Sequence, residues 1–179
     1  VTVAGCTAHE ALRRLRLERI ELFQLHRIDP AVPEAEQFGV LADLRREGKI
    51  NLIGLSEVGV DEIERARERL PVVSVQNRYN IVDRTWDFVV EYCERHAIAF
   101  IPWSPLGAGA LDAPAPMRQV ARRHEASPMQ VALAWLLARS PVMLPIPGTS
   151  NVNHLVENGG AASVSLSDDD VRALDATTV

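Results

Sequence analysis

The sequence predicts an α/β fold: a parallel sheet closed as a (β/α)8 TIM-type barrel, of which this chain supplies about five β/α units. Three observations carry that expectation. Short apolar runs alternate with longer amphipathic stretches, and no two-residue hairpin signal joins one run to the next. The turn after the first run, Arg27-Ile28-Asp29-Pro30, also lacks the glycine-rich pattern of an open dinucleotide-binding sheet.

Five runs read as strands: Ile20–His26, Ile50–Ser56, Val72–Gln76, Ala99–Trp103 and Val142–Ile146. The first keeps a polar residue inside it, whereas the later ones are more continuously apolar, as strands covered on both faces should be. Helices fall between them. Glu34 to Glu47 carries Phe38, Leu41 and Leu44 at helical spacing, and Gly48 follows as a left-handed terminator. Val60 to Leu70 is stopped by Pro71, and Asp83 or Thr85 precedes the helix of Trp86, Val89, Val90 and Cys93. Ser127-Pro128 opens an apolar helix to Ala138, and Ser167 caps a turn begun by Asp168, Asp169 and Asp170.

With 47% apolar and 24% charged residues, the 179-residue chain is not a disordered one, and no apolar run approaches the roughly 18 residues of a membrane-spanning helix. Its 24 acidic against 19 basic side chains argue against nucleic-acid binding. Two cysteines make neither a disulfide framework nor a metal cluster, so no metal is expected and a reducing cytoplasm is the default compartment. One partial barrel domain over residues 1–179 is expected, with residues 1–10 outside any recognised pattern.

In a barrel, function gathers where strands end at their C-terminal tips. The tips here read His26, Ser56-Glu57, Gln76-Asn77, Trp103-Ser104 and Pro147-Gly148-Thr149-Ser150. Polar or aromatic residues directly after five apolar runs describe a pocket with a flat aromatic wall, amide and hydroxyl groups, and a loop able to meet an anion.

Leu22-Phe23-Gln24-Leu25-His26, Ile53-Gly54-Leu55-Ser56, Val75-Gln76-Asn77-Arg78-Tyr79-Asn80, Trp103-Ser104-Pro105-Leu106-Gly107 and Ile146-Pro147-Gly148-Thr149 stand in the order found in aldo-keto reductases, and the chain resembles that family over roughly Leu12 to Leu174. The resemblance implies NADPH-dependent reduction of small aldehydes or ketones by hydride transfer, with NADH as the alternative cofactor. It implies that His26 is the active-site histidine, orienting the carbonyl and stabilising charge on its oxygen. Ser56 and Gln76 match residues that hydrogen-bond the nicotinamide carboxamide, and Trp103 matches an aromatic ring stacked on the nicotinamide. Ser104, Leu106, Gly107 and Gly109 match the loop over the pyrophosphate. Pro147, Gly148, Thr149 and Ser150, with the helix start at Asn151, match the adenosine-phosphate site, and Glu157 and Asn158 match the pair at adenine.

Three departures stand out. Glu57 replaces an asparagine common in the family, so it can accept from the carboxamide but cannot donate. Gly148 and His154 stand where many NADPH-specific members carry lysine and arginine on the ribose 2′-phosphate, which weakens the expected preference for NADPH over NADH. The family's tyrosine proton donor, with its lysine and aspartate, comes from strands preceding the one that ends in His26; Lys49, Tyr79 and Tyr92 do not occupy such places. Two readings follow. One is an oxidoreductase whose catalytic set is completed by another segment or chain; the other is a catalytically silent NADP(H)-binding module or partial barrel. The oligomeric state is not legible.

Overall fold

The computed structural model describes residues 3–107 and 113–176. The chain divides into two compact units, Val1–Gln76 with His96–Ala99, and Asn77–Arg95 with Phe100–Val179. Among the described residues no helix is long and apolar enough to cross a membrane.

The first unit opens with α1 (Val3–Leu15), followed by β1 (Ile20–Leu25), α2 (Glu34–Arg46), β2 (Ile50–Ser56), α3 (Val60–Arg67) and β3 (Val72–Gln76). The strands lie in the order β1-β2-β3, and β4 (Ala99–Phe100) stands next to β3. β1 pairs parallel with β2 from Ile20↔Ile50 to Leu25↔Leu55, and β2 pairs parallel with β3 through Ser56↔Gln76, with an irregularity between Ile53 and Gly54. Alternation along the strands buries Phe23, Leu25, Ile53 and Leu55. α2 buries Phe38, Leu41 and Leu44, the positions its periodicity predicted, together with Gln37. Gly48 terminates that helix at φ +74°, where a side chain would be strained, and Lys49 N–H returns 2.9 Å to the Leu44 carbonyl. α3 starts with a one-sided cap, the Glu62 carboxylate accepting from Gly59 N–H at 2.6 Å, and buries Ile63 and Ala66.

The second unit contains α4 (Asp87–Arg95), α5 (Ala115–Arg123), α6 (Pro128–Arg139), α7 (Val152–Gly160) and α8 (Asp168–Asp175). Ser127 caps α6 as expected, its hydroxyl accepting from Gln130 N–H at 3.2 Å with Pro128 at the first helical position. Ser167 caps α8 in the same way, accepting from Asp170 N–H at 3.2 Å. α6 buries Trp135, against which Tyr79 stacks at 6.0 Å between centroids while meeting Phe100 edge-on at 5.7 Å. Trp135 donates its indole N–H to Asp175 at 2.9 Å, which fastens α8 to this core. Cys93 is a buried, reduced thiol in α4, as its apolar neighbours implied.

Two expected strands are shortened. Regular pairing over Ala99–Trp103 is confined to Ala99–Phe100, and Trp103 forms only an isolated bridge with Arg78. The run Val142–Ile146 is not a regular strand: Met143 makes a single bridge to Phe100, with Phe100 N–H on Val142 O and Leu144 N–H on Phe100 O, both at 2.8 Å. The next donor along the ladder would be residue 102, and Pro102 has no N–H. α1 and α5 are additional helices that the periodicity reading did not resolve. The helix expected from Asp83 or Thr85 begins later, at Asp87, because Asp83 is engaged in its own turn with Asn80 and Thr85.

Candidate active site

In the first unit, the parallel register brings polar side chains together in tiers on one sheet face. Leu22, Gln24 and His26 alternate along β1; Leu22 is in register with Leu52, and Gln24 with Gly54. Gly54 pairs with Ser74, and Ser56 with Gln76. The tips His26, Ser56 and Gln76 therefore stand at one end of three adjacent strands, above a polar tier of Gln24, Gly54 and Ser74.

That lower tier is tightly fitted. A Cβ on Gly54 would lie 2.3 Å from Ser74 Oγ and 3.1 Å from Gln24 Cγ, so the missing side chain is what lets Gln24 reach toward Ser74. Gln24 Nε2 is 3.5 Å from Ser74 Oγ, and its buried Oε1 has no hydrogen-bond partner among the described residues.

At the tips, the Gln76 main-chain carbonyl accepts twice, from Ser56 Oγ at 2.8 Å and from Glu57 N–H at 3.1 Å. Glu57 adopts φ +55°, a left-handed conformation uncommon for a non-glycine residue. Its carboxylate meets the Arg27 guanidinium at 3.2 Å, with the Glu57 side chain 18% exposed and that of Arg27 53%. His26 is exposed at the tip of β1 and borders a cavity of about 410 Å³ together with Phe23, Gln24, Ile28, Asp29 and Gln37.

Gln37 was not singled out from sequence. It is 4% exposed, and its amide makes three hydrogen bonds to the loop after His26: Nε2 to Asp29 O at 2.9 Å and to Val32 O at 2.8 Å, and Oε1 from Asp29 N–H at 2.9 Å. The signal was its place on the apolar stripe of α2, four and seven residues before Leu41 and Leu44, where a leucine would be expected.

In the second unit, Trp103 is half-buried; its N–H donates to Asn77 O at 3.1 Å and its carbonyl accepts from Tyr79 N–H at 3.3 Å. The Arg78 guanidinium lies 5.8 Å from the Trp103 ring centroid. Ser104 and Gly107 both take positive φ, +53° and +71°, and Gly107 N–H closes the turn on Ser104 O at 3.0 Å. Asn80 Nδ2 donates to the same Ser104 carbonyl at 3.0 Å, and Leu106 lies within the turn. Gly109 lies outside the described residues.

Past Pro147, residues Gly148, Thr149 and Ser150 are exposed and lead into α7. Thr149 Oγ1 accepts from Asn151 N–H at 3.1 Å, and Asn151 Oδ1 caps the helix by accepting from Asn153 N–H at 2.8 Å. Gly148 has nothing within 4 Å of a hypothetical Cβ. His154 is exposed on α7; Glu157 and Asn158 are partly buried, and the Glu157 carbonyl accepts from Gln130 Nε2 at 3.0 Å.

Both tyrosines are committed elsewhere. Tyr79 is fully buried and donates to Asp87 at 2.5 Å; burial first, and the Asp87 carboxylate second, push its phenol well above the ordinary range. Tyr92 is buried in α4.

The model of the aldo/keto reductase family matches residues 7–178. The chain belongs to the aldo/keto reductase family. It is similar to an uncharacterized oxidoreductase of Schizosaccharomyces pombe, with 52% identity over 166 residues that cover 92% of this chain and 54% of the relative. Among solved structures it is similar to the thermostable aldo-keto reductase Tm1743 in complex with the inhibitor epalrestat, at 29% identity and a TM-score of 0.89, covering 96% of this chain and 64% of that one. A point mutant of Gox0644 in complex with NADPH matches at 25% identity and a TM-score of 0.87, covering 98% and 65%. The chain thus spans between half and two thirds of these relatives, and its α/β fold with a parallel sheet is that of a partial (β/α)8 barrel.

Proposed function

We propose that these residues form the cofactor-holding and histidine-bearing part of an NADPH-dependent oxidoreductase that reduces aldehydes or ketones to alcohols in the cytoplasm. The observation that carries the reading is the strand register, which sets His26, Ser56 and Gln76 at adjacent tips of one parallel sheet. The polar set suits a nicotinamide carboxamide, which both donates and accepts: a hydroxyl, a carboxylate and an amide at neighbouring tips. The similar Gox0644 mutant, which holds NADPH, supports that cofactor over NADH.

When bound, the nicotinamide supplies a hydride. His26, exposed at its strand tip, orients the substrate carbonyl and donates toward its oxygen. Ser56, Glu57 and Gln76 hold the carboxamide; Trp103 offers an aromatic face to the ring. The turn of Ser104, Leu106 and Gly107, continuing to Gly109, presents backbone N–H groups to the pyrophosphate. Pro147, Gly148, Thr149 and Ser150 lead the adenosine phosphate toward the α7 N-terminus, with His154 beside it and Glu157 and Asn158 at adenine.

The burial of Tyr79 and Tyr92 favours a second reading for the chain acting alone, a module that binds NADP(H) without turning over. Without a positioned acid, a factor of about 10²–10⁴ in rate is lost. Titration of the 179-residue chain with NADPH, followed by nicotinamide fluorescence, is expected to saturate, and failure to saturate overturns both readings. Carbonyl-dependent NADPH oxidation by the same chain would overturn the silent module; binding without oxidation places the proton donor on another segment or chain.

A further inference from the structure

We infer that Arg27 is a positioning residue which, through Glu57, makes this rim read the amino group of the bound carboxamide. The inference rests on the cofactor reading above and deepens it by assigning a polarity to the Ser56 and Glu57 contacts with the carboxamide.

The assignment follows from proton bookkeeping at the Gln76 carbonyl. A carbonyl only accepts, so the Ser56 hydroxyl at 2.8 Å must spend its single proton there. Ser56 Oγ is then an acceptor toward any further partner. The same carbonyl takes Glu57 N–H at 3.1 Å, which holds the Glu57 backbone in its left-handed conformation at φ +55°. The Glu57 carboxylate carries no proton to donate, and Arg27 at 3.2 Å sets a permanent positive charge beside it. Glu57 is the more withdrawn member of that pair, so Arg27 closes over it from the solvent side.

Two acceptors, Ser56 and Glu57, thus stand beside Gln76, whose amide can donate as well as accept. A carboxamide carries two N–H donors and one carbonyl acceptor, the complement of this set. An asparagine in place of Glu57 would supply a donor as well as an acceptor and would tolerate a flipped or altered group. Glutamate tolerates neither, and the contact with Arg27 orients it.

The test compares binding of NADP⁺ with that of 3-acetylpyridine adenine dinucleotide phosphate, in which a methyl replaces the amino group, by calorimetric titration of the chain. The acetylpyridine analogue is expected to bind about tenfold or more weakly, the loss of a hydrogen bond to a charged acceptor. Glu57→Gln should bring the two within about threefold, as should Glu57→Asn, whose side chain also suits the left-handed backbone. Arg27→Met should reduce the ratio in the same way, whereas Arg27→Lys should keep most of it. Adenosine 2′,5′-bisphosphate should bind alike to all variants, since it lacks the nicotinamide end. Equal affinity of the unmodified chain for the two dinucleotides overturns the inference alone, as does full discrimination in Arg27→Met. Failure of the chain to bind NADP⁺ and the bisphosphate alike overturns the cofactor reading and this inference with it.

Discussion

Replacing Gln37 with leucine probes how the loop behind His26 is held. The substitution removes three hydrogen bonds, of 2.9, 2.9 and 2.8 Å, and places an apolar side chain of comparable size on the buried stripe of α2. At about 1 kcal/mol net for each bond the loss is about 3 kcal/mol. Asp29 is exposed, so water recovers part of it and the expected destabilisation is about 2 kcal/mol. Gln37→Glu should cost more than Gln37→Leu: it keeps the acceptor for Asp29 N–H but sets a buried carboxylate against the Asp29 and Val32 carbonyls. Urea unfolding followed by far-UV circular dichroism gives the global cost, and amide exchange at Asp29 reads the loop directly. Unchanged Asp29 exchange in Gln37→Leu, or a glutamate variant more stable than the leucine one, would refute the role assigned to this side chain.

Other expectations are briefer. Gly54→Ala forces a Cβ to within 2.3 Å of Ser74 Oγ and should destabilise the first unit by about 1–3 kcal/mol by overpacking, read by urea midpoint; a neutral outcome would mean that Ser74 and Gln24 rotate away freely. Asp170 is held well below the ordinary carboxylate range, chiefly by Arg123 and then by His124 and Ser167. Its carboxyl is lowered in the folded state, so the stability it contributes is complete above the unfolded carboxylate range, about pH 4, and is lost as pH falls below that. Asp170→Asn should therefore flatten the acid limb of thermal stability between about pH 4 and 2, and an unchanged slope would exclude the link between α5 and α8 as its source. His154→Arg should tighten NADPH binding about threefold to tenfold and leave NADH within twofold; equal effects on both would reject a phosphate contact at this position.

Much of the frame was legible because it rests on local chemistry. Gly48, Ser127-Pro128 and Ser167 end or begin helices through their own conformational and hydrogen-bonding preferences, and each does so here. The parallel pairing of Ile20–Leu25, Ile50–Ser56 and Val72–Gln76 follows from run length and apolar content. The run Val142–Ile146 has the same composition, yet pairing fails because the proline that ends the ladder, Pro102, lies on the partner segment about forty residues away in sequence. The tip residues announced themselves by following apolar runs, whereas Arg27 and Gln37 did not. An arginine in a turn and a glutamine in a helix are ordinary there, and only tertiary placement against Glu57 and the Asp29–Val32 loop gives them work.

The aromatic cluster built on Trp135 has a practical consequence for spectroscopy. Trp86, Trp103 and Trp135 all lie in the second unit, as do Tyr79 and Tyr92, so the first unit contains neither chromophore. Absorption in the tryptophan and tyrosine band and the emission it excites are therefore optical labels for one unit only. A melt monitored at those wavelengths and one monitored by backbone ellipticity coincide if the two units unfold together, and separate if they do not.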